Sequence, residues 1–537
     1  MLFRSHLKKQ AKALLRQHRD GDPAATARFL DALPNATAGG FHLHDAQSCI
    51  AREYGFPSWA ELKSYVEAKA LQTADGDARV LAWLRLVYAS DMVGGNNVAR
   101  PAVAARMLAE NPDLVKGDPY LACAVGDDAA LRDAIRSDPE WVNRSGGSLN
   151  LPPLIAVTHS SLMRLPEFRS RLHRAAELLL AAGADPNQSV GSRSHPASLD
   201  NPSTEFPLSA LYGAAGVNHD PELTKLLLDA GADPNDNESL YHSLENIECT
   251  RLLLEGGARI DGTNAMYRVL DLDNVAVLRL LLAHGGNPNE GASSSPTNIW
   301  GSPLFWAIRR RRSRAHIEAL LQAGADPAVK TPDGMGAYSL ALQYGLVEVA
   351  ELLRQAGAGQ VLGEDELFIA ACSRGDEEEA RRIQSARPDL PQALSEAQLR
   401  LLPELAAEGC GDAVRLMVRL GWPVAVRGGD WRASALNLAV FRGNAPLARF
   451  LLEHGASWRE EHGFGDNACG TLSWASLNAP VEGGDWLGCA KALVAAGMPS
   501  AQPDPDGSDG VLVDDRLTRF SDEVTEFLLQ TDDPVPA

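Results

Sequence analysis

The sequence predicts an all-α fold, a solenoid of paired helices joined by tight turns, on three observations. A Leu-rich phrase ending in glycine recurs nine times along the 537 residues. A second, shorter apolar segment lies about twenty residues before each of these glycines. Leu and Ala are abundant while aromatics make up only 6%, a balance that suits close-packed helices better than β-sandwiches.

The phrase reads LLLAAGADPN at 178–187, LLLDAGADPN at 226–235, LLLEGGARID at 252–261 and LLLAHGGNPN at 280–289. Weaker copies end at Gly324, Gly357, Gly421, Gly455 and Gly497. Successive glycines are 48, 26, 28, 39, 33, 64, 34 and 42 residues apart. The longest gap is close to two periods and contains the degenerate copy LFIAACSRGDEEEARRIQSARPDL at 367–390, so the basic period is near 33. The Leu run is the apolar stripe at the end of a helix. The glycine ends that helix in the left-handed conformation, where a Cβ would clash. In the following turn proline fixes φ, and Asp and Asn bond back to nearby amides. The shorter partner helices include PPLIAVTHS (152–160), SPLFWAIRR (302–310), AYSLALQYG (337–345) and ALNLAVFRG (435–443).

Helix, tight turn, longer helix, glycine and extended turn at this period resemble an ankyrin repeat array from about 100 to 500. The glycine-capped half is well kept, as in GLVEVAELLRQAGA at 345–358. The opening half is eroded, with Ser-Pro-Leu-Phe at 302–305 where the family has Thr-Pro-Leu-His. The resemblance implies a bacterial ankyrin-repeat protein that binds a protein partner through its concave face and finger loops. The expected domains are a helical cap or docking module at 1–75, the array at 76–500, and an acidic linker with a capping helix at 501–537. In the first module Leu7, Ala11, Leu14 and Leu15 share one helical face. Helices are expected from about His44 to Tyr54 and from Ser58 through Trp59, Leu62, Tyr65 and Val66. LHDAQSCIAREYGFPSWAELKSYVE (43–67) resembles a segment that often precedes bacterial ankyrin repeats.

The net charge of −20 argues against nucleic acid as a partner. Seven widely spaced cysteines without a CxxC argue against a disulfide framework or structural zinc, and for a reducing cytoplasm. No apolar run is long enough to span a membrane. The basic N-terminus lacks an apolar core and is no secretory signal, though it has some features of a mitochondrial presequence. No nucleotide-binding, zinc-protease or EF-hand motif occurs, so no cofactor is expected. A monomer is expected. His42 and His44 could share a metal only on extended backbone, and a role at a helix start is the simpler reading. The run Arg309–Arg312 with Arg314 is expected in a solvated turn, with an acidic or phosphate partner as the alternative.

Insertions follow the glycine phrase at 188–205, 290–300 and 462–470, where an ankyrin array carries its fingers. Seven of the ten tryptophans lie beyond residue 299, and tryptophan is enriched at binding hot spots. The expected partner-binding residues are Trp300, Trp306, Trp431, Trp458, Phe464, Asp466, Asn467, Trp474 and Trp486. Filling of gaps between degenerate repeats is the competing reading for the tryptophans. No catalytic or metal residues are expected. The alternative is an enzyme or small-ligand receptor in 462–489, where His454, His462, Asp466, Cys469, Ser473 and Cys489 could supply a nucleophile and base.

Overall fold

The computed structural model describes the chain except residues 1, 34–40, 42, 71–75, 96, 206, 292–300, 332–333, 505–509 and 531–537. It is mostly helical, with 59% of residues in helices and 5% in strands, and divides into two compact units, Met1–Gly286 and Asn287–Ala537.

The first unit opens on helices Leu2–Arg19, Pro23–Ala32, Leu43–Glu53 and Trp59–Ala70. The face formed by Leu7, Ala11, Leu14 and Leu15 is buried and packs on Leu43–Glu53. Tyr65 and Lys69 both reach Glu110, on the helix Pro101–Glu110. From that helix the Arg106 guanidinium lies 4.4 Å from the Phe56 ring centroid and 4.8 Å from that of Tyr65. The opening helices are thus fastened by a cation–π and hydrogen-bonded patch. His42 lies outside the described residues.

Helix pairs follow, and the glycine phrase explains their ends. All nine aligned glycines have φ between 88° and 96°. The residue four before each glycine, Leu in eight cases and Met417 in the ninth, has no exposed surface. Outside the π-helical turn Arg354–Ala358, the backbone N–H just after the glycine donates to the carbonyl of that same buried residue, as from Ala184 to Leu179 and Ala232 to Leu227, both 3.0 Å. One residue therefore anchors the core and accepts the helix-terminating bond. Burying each such Leu stabilises by about 1.5–3 kcal/mol.

The asparagines of the phrase do more than close their own turns. Asn187 donates from Nδ2 to the Gly231 carbonyl at 3.3 Å, and its Oδ1 accepts from the Asp233 amide at 2.8 Å. Asn143 makes the same pair with Gly183 and Asp185, and Asn235 with Gly257 and Arg259. In the second unit Asn289 joins Gly324 and Asp326 in the same way. Each asparagine is a rung to the next glycine turn, from a glycine turn of its own for Asn187, Asn235 and Asn289 and from the turn Pro139–Asn143 for Asn143. The insertion at 188–205 begins in an antiparallel strand pair, Ser189–Gly191 with Pro207–Ser209. It is also tied down: Ser192 and Ser194 donate to Asp91, and buried Arg193 donates to the Met92 carbonyl.

The second unit continues with pairs such as Pro303–Arg309 with Arg314–Gln322 and Ala435–Phe441 with Ala445–Glu453. The gap before Gly421 holds the expected degenerate pair, Glu364–Arg374 with Glu377–Ala386. Near its end Val511–Val513 and Arg516–Thr518 form a hairpin, which the composition did not reveal, and the helix Asp522–Gln530 follows.

The arginine run departs from the expected solvated turn. Arg309 ends the helix Pro303–Arg309 with its side chain 6% exposed, between Glu404 (3.0 Å) and Asp430 (2.5 Å). The Tyr344 hydroxyl also donates to Glu404. Arg310 pairs with Asp430 at 2.8 Å, and Arg311 donates to the Tyr344 carbonyl. Only Arg314, paired with Glu318, stands on the surface. Burial by itself would lower the Arg309 pKa; Glu404, Tyr344 and Asp430 outweigh it and hold the guanidinium charged. The reason is distance in sequence: the acids that turn the run inward lie about a hundred residues further on.

Candidate functional site

A pocket of about 620 Å³ opens in the second unit, lined by Asp430, Trp431, Phe441, His462, Phe464, Asp466, Gly470, Thr471 and Trp474. Three local structures build it. The loop between the short strands Arg427–Gly428 and Ala433–Ser434 carries Asp430 and Trp431. The helix Ala435–Phe441 ends in Phe441. The loop 462–466 and the helix Ala468–Asn478 supply the rest.

The loop is shaped by its own backbone. The His462 amide donates to the Asp466 carbonyl, and the Gly463 amide to the Trp431 carbonyl, each at 2.8 Å. A Cβ at Gly463 would lie 2.8 Å from that Trp431 oxygen, so only glycine lets the two loops meet. Asn467 caps the next helix by accepting from the Cys469 and Gly470 amides. Beneath, the buried Thr471 hydroxyl donates to Asn437 Oδ1, and Asn437 Nδ2 donates to the Glu460 carbonyl.

Five rings run in sequence round the pocket. Trp474 stacks on Phe441 at 5.6 Å and 9°; Phe441 tilts against Trp431 at 5.4 Å; Trp431 meets His462 edge-on at 5.0 Å; His462 meets Phe464 at 5.9 Å. Two of them face water, Phe464 at 80% and Trp474 at 52% exposure. Burial lowers the His462 pKa, with Arg427 adding to the effect against Asp466 and Glu461, so the ring is neutral near pH 7. Asp466 forms a bidentate pair with Arg516 of the terminal hairpin at 2.6 and 2.9 Å. The Ser473 hydroxyl donates to the Arg519 carbonyl, so the hairpin braces this wall.

Of the expected binding residues, Trp431, Phe464, Asp466 and Trp474 line the pocket. Trp306 and Trp458 do not, because both are buried, each covered by an arginine: Arg309 and Arg310 at 5.0 and 4.3 Å from Trp306, Arg459 at 4.1 Å from Trp458. Asn467 is engaged in its cap. Trp486 is half-buried and donates to the Phe441 carbonyl at 3.3 Å. Trp300 lies outside the described residues. Sequence reasoning passed over Phe441 and Asp430, and placed His462 only in the enzyme or small-ligand alternative; Phe441 sits at the end of ALNLAVF and reads as core.

Cys469, the candidate nucleophile of the alternative reading, is buried. Burial pushes its thiol up to about 12, and neither Cys469 nor Trp486 lines the pocket. His462 Nδ1 instead accepts from the Phe464 amide at 3.2 Å. Among the described residues no three of His, Cys, Asp and Glu are grouped to hold a metal ion. No helix among the described residues is long and apolar enough to cross a membrane.

Over 110 residues the chain is 36% identical to Ankyrin repeat and SAM domain-containing protein 6 of Rattus norvegicus. That similarity covers 20% of this chain and 11% of the rat protein. No family model matches the chain. The likeness supports ankyrin-type repeats within a mostly helical protein.

Proposed function

We propose that the chain is a non-catalytic protein-interaction scaffold of the ankyrin type, and that the aromatic pocket of its second unit is where the partner docks. The observation that carries this is the ring sequence Trp474–Phe441–Trp431–His462–Phe464, two members of which stand largely in water beside a cavity. Leaving such rings exposed costs solubility, and contiguous apolar surface of this kind marks interaction sites. The similarity to an ankyrin-repeat protein supports the reading. In it, residues 76–500 form an irregular ankyrin solenoid, 1–75 a helical docking module and 501–537 the closing segment. The protein works as a monomer in a bacterial cytoplasm.

The test compares wild type with Phe464→Ser/Trp474→Ser as immobilised full-length baits in native lysate. Val361→Ser serves as control, because Val361 is almost fully exposed and is not part of the pocket. A protein retained by wild type and Val361→Ser but lost from the double variant supports the pocket. Identical retention by all three removes it.

A further inference from the structure

The second unit treats its tryptophans in two ways. Trp306 and Trp458 are roofed by the chain's own arginines, at 4.1–5.0 Å from the ring centroids. Trp431 and Trp474 have rings of the same kind, and among the described residues no Lys or Arg of this chain lies over either. We propose that the pocket takes an arginine side chain of a basic partner segment, seated against Trp431, Phe441 and Trp474. The proposal rests on the docking reading above and names what docks.

Three further features favour this occupant. Guanidinium is planar and weakly hydrated, so it stacks on aromatic faces at a smaller desolvation cost than an ammonium. The second unit, 287–537, has 22 Lys and Arg against 35 Asp and Glu, a net of −13, so its field draws a cation inward. The rim offers acceptors, and of the arginines about it the exposed Arg427 acts on His462. Arg516 and Arg310 beside the opening are neutralised by Asp466 and Asp430. A carboxylate has about four acceptor positions; the two Asp430 oxygens accept one guanidinium bond each from Arg309 and Arg310, which leaves sites for an entering N–H. His462 is held neutral by its surroundings and presents a ring rather than a competing charge. A volume of about 620 Å³ also has room for an apolar residue flanking the arginine.

The experiment uses the full chain labelled with 5-fluorotryptophan and observed by fluorine NMR, each signal assigned by a single Trp→Phe variant. The probes are two capped peptides, Gly-Leu-Arg-Leu-Gly and the same sequence with citrulline, its neutral isostere, for arginine. The arginine peptide is expected to shift the Trp431 and Trp474 signals and leave Trp306 and Trp458 unmoved. Half-saturation should come at about tenfold lower concentration than with citrulline. Trp474→Leu, which keeps apolar area and removes the π face, should bring the two peptides together. Equal half-saturation on wild type overturns the arginine proposal while the docking site stands. No shift from either peptide overturns it too, and the lysate comparison then decides the docking reading independently.

Discussion

Replacing Arg309 with methionine keeps most of the stem's volume and removes the charge from a place almost without water, the side chain being 6% exposed. Asp430 keeps Arg310 at 2.8 Å, so the loss falls on Glu404, itself 11% exposed and left with the Tyr344 hydroxyl. Removing one partner of a buried ion pair costs about 3–5 kcal/mol, because the other charge stays desolvated. With an m value of about 3 kcal/mol/M, the urea midpoint of the second unit should fall by about 1 M or more. Tryptophan fluorescence reads that unit, which holds seven of the ten tryptophans, with Trp306 directly under the guanidinium. Arg309→Met/Glu404→Met removes both charges and should recover most of the loss, as apolar replacement of buried pairs does. A single-variant cost below about 1 kcal/mol, the range of solvated pairs, would refute the reasoning. So would a double variant no more stable than the single.

Asn235→Ala removes both cross-turn bonds to Gly257 and Arg259 and should cost about 1–2 kcal/mol, read as a lower melting temperature of the first unit; an unchanged melt would show that the rung adds nothing. His173, half-buried, contacts Asp220 at 2.9 Å and Glu222 at 3.2 Å, and the Asp220 hydrogen bond raises its pKa. Its contribution is therefore full below about pH 6.5 and lost as pH rises through the raised folded value. The stability gap between wild type and His173→Gln should narrow as pH rises above about 6.5; a gap that widens contradicts the assignment. Because burial pushes the Cys469 thiol up to about 12, iodoacetamide at about pH 8 should leave it unmodified in the folded chain and alkylate it in urea; a native-state adduct mapped to Cys469 would reverse that conclusion.

What the sequence revealed was local. The glycine ends were legible because a positive φ after an apolar helix face is a demand on one residue, and all nine aligned glycines meet it. The buried face of Leu7, Ala11, Leu14 and Leu15 was legible for the same reason, a period within one helix. The pocket was only half legible. Insertions and tryptophans pointed to Trp431, Phe464, Asp466 and Trp474, yet the same residue types at Trp306 and Trp458 turned inward. The roofing arginines are sequence neighbours, Arg309 and Arg310 three and four residues after Trp306 and Arg459 next to Trp458, yet Arg432 stands next to Trp431 in the same way without covering its ring. The arginine run failed likewise, since Glu404 and Asp430 come from remote parts of the sequence.

The asparagine ladder bears on how a chain of this kind can change length. Each rung fixes the next glycine turn by a side chain, so the fit between neighbours does not run through the connecting loop. The rung from Asn187 closes a spacing of 48 residues and that from Asn235 a spacing of 26, with the same two bonds. Chain added between two rungs is charged only the slow logarithmic growth of loop entropy, about 0.6 kcal/mol per doubling. The positions just after Asn187, Asn235 and Asn289 are therefore points where new segments can be spliced in while the core keeps its alignment, and a surface can be diversified without redesigning the frame beneath it.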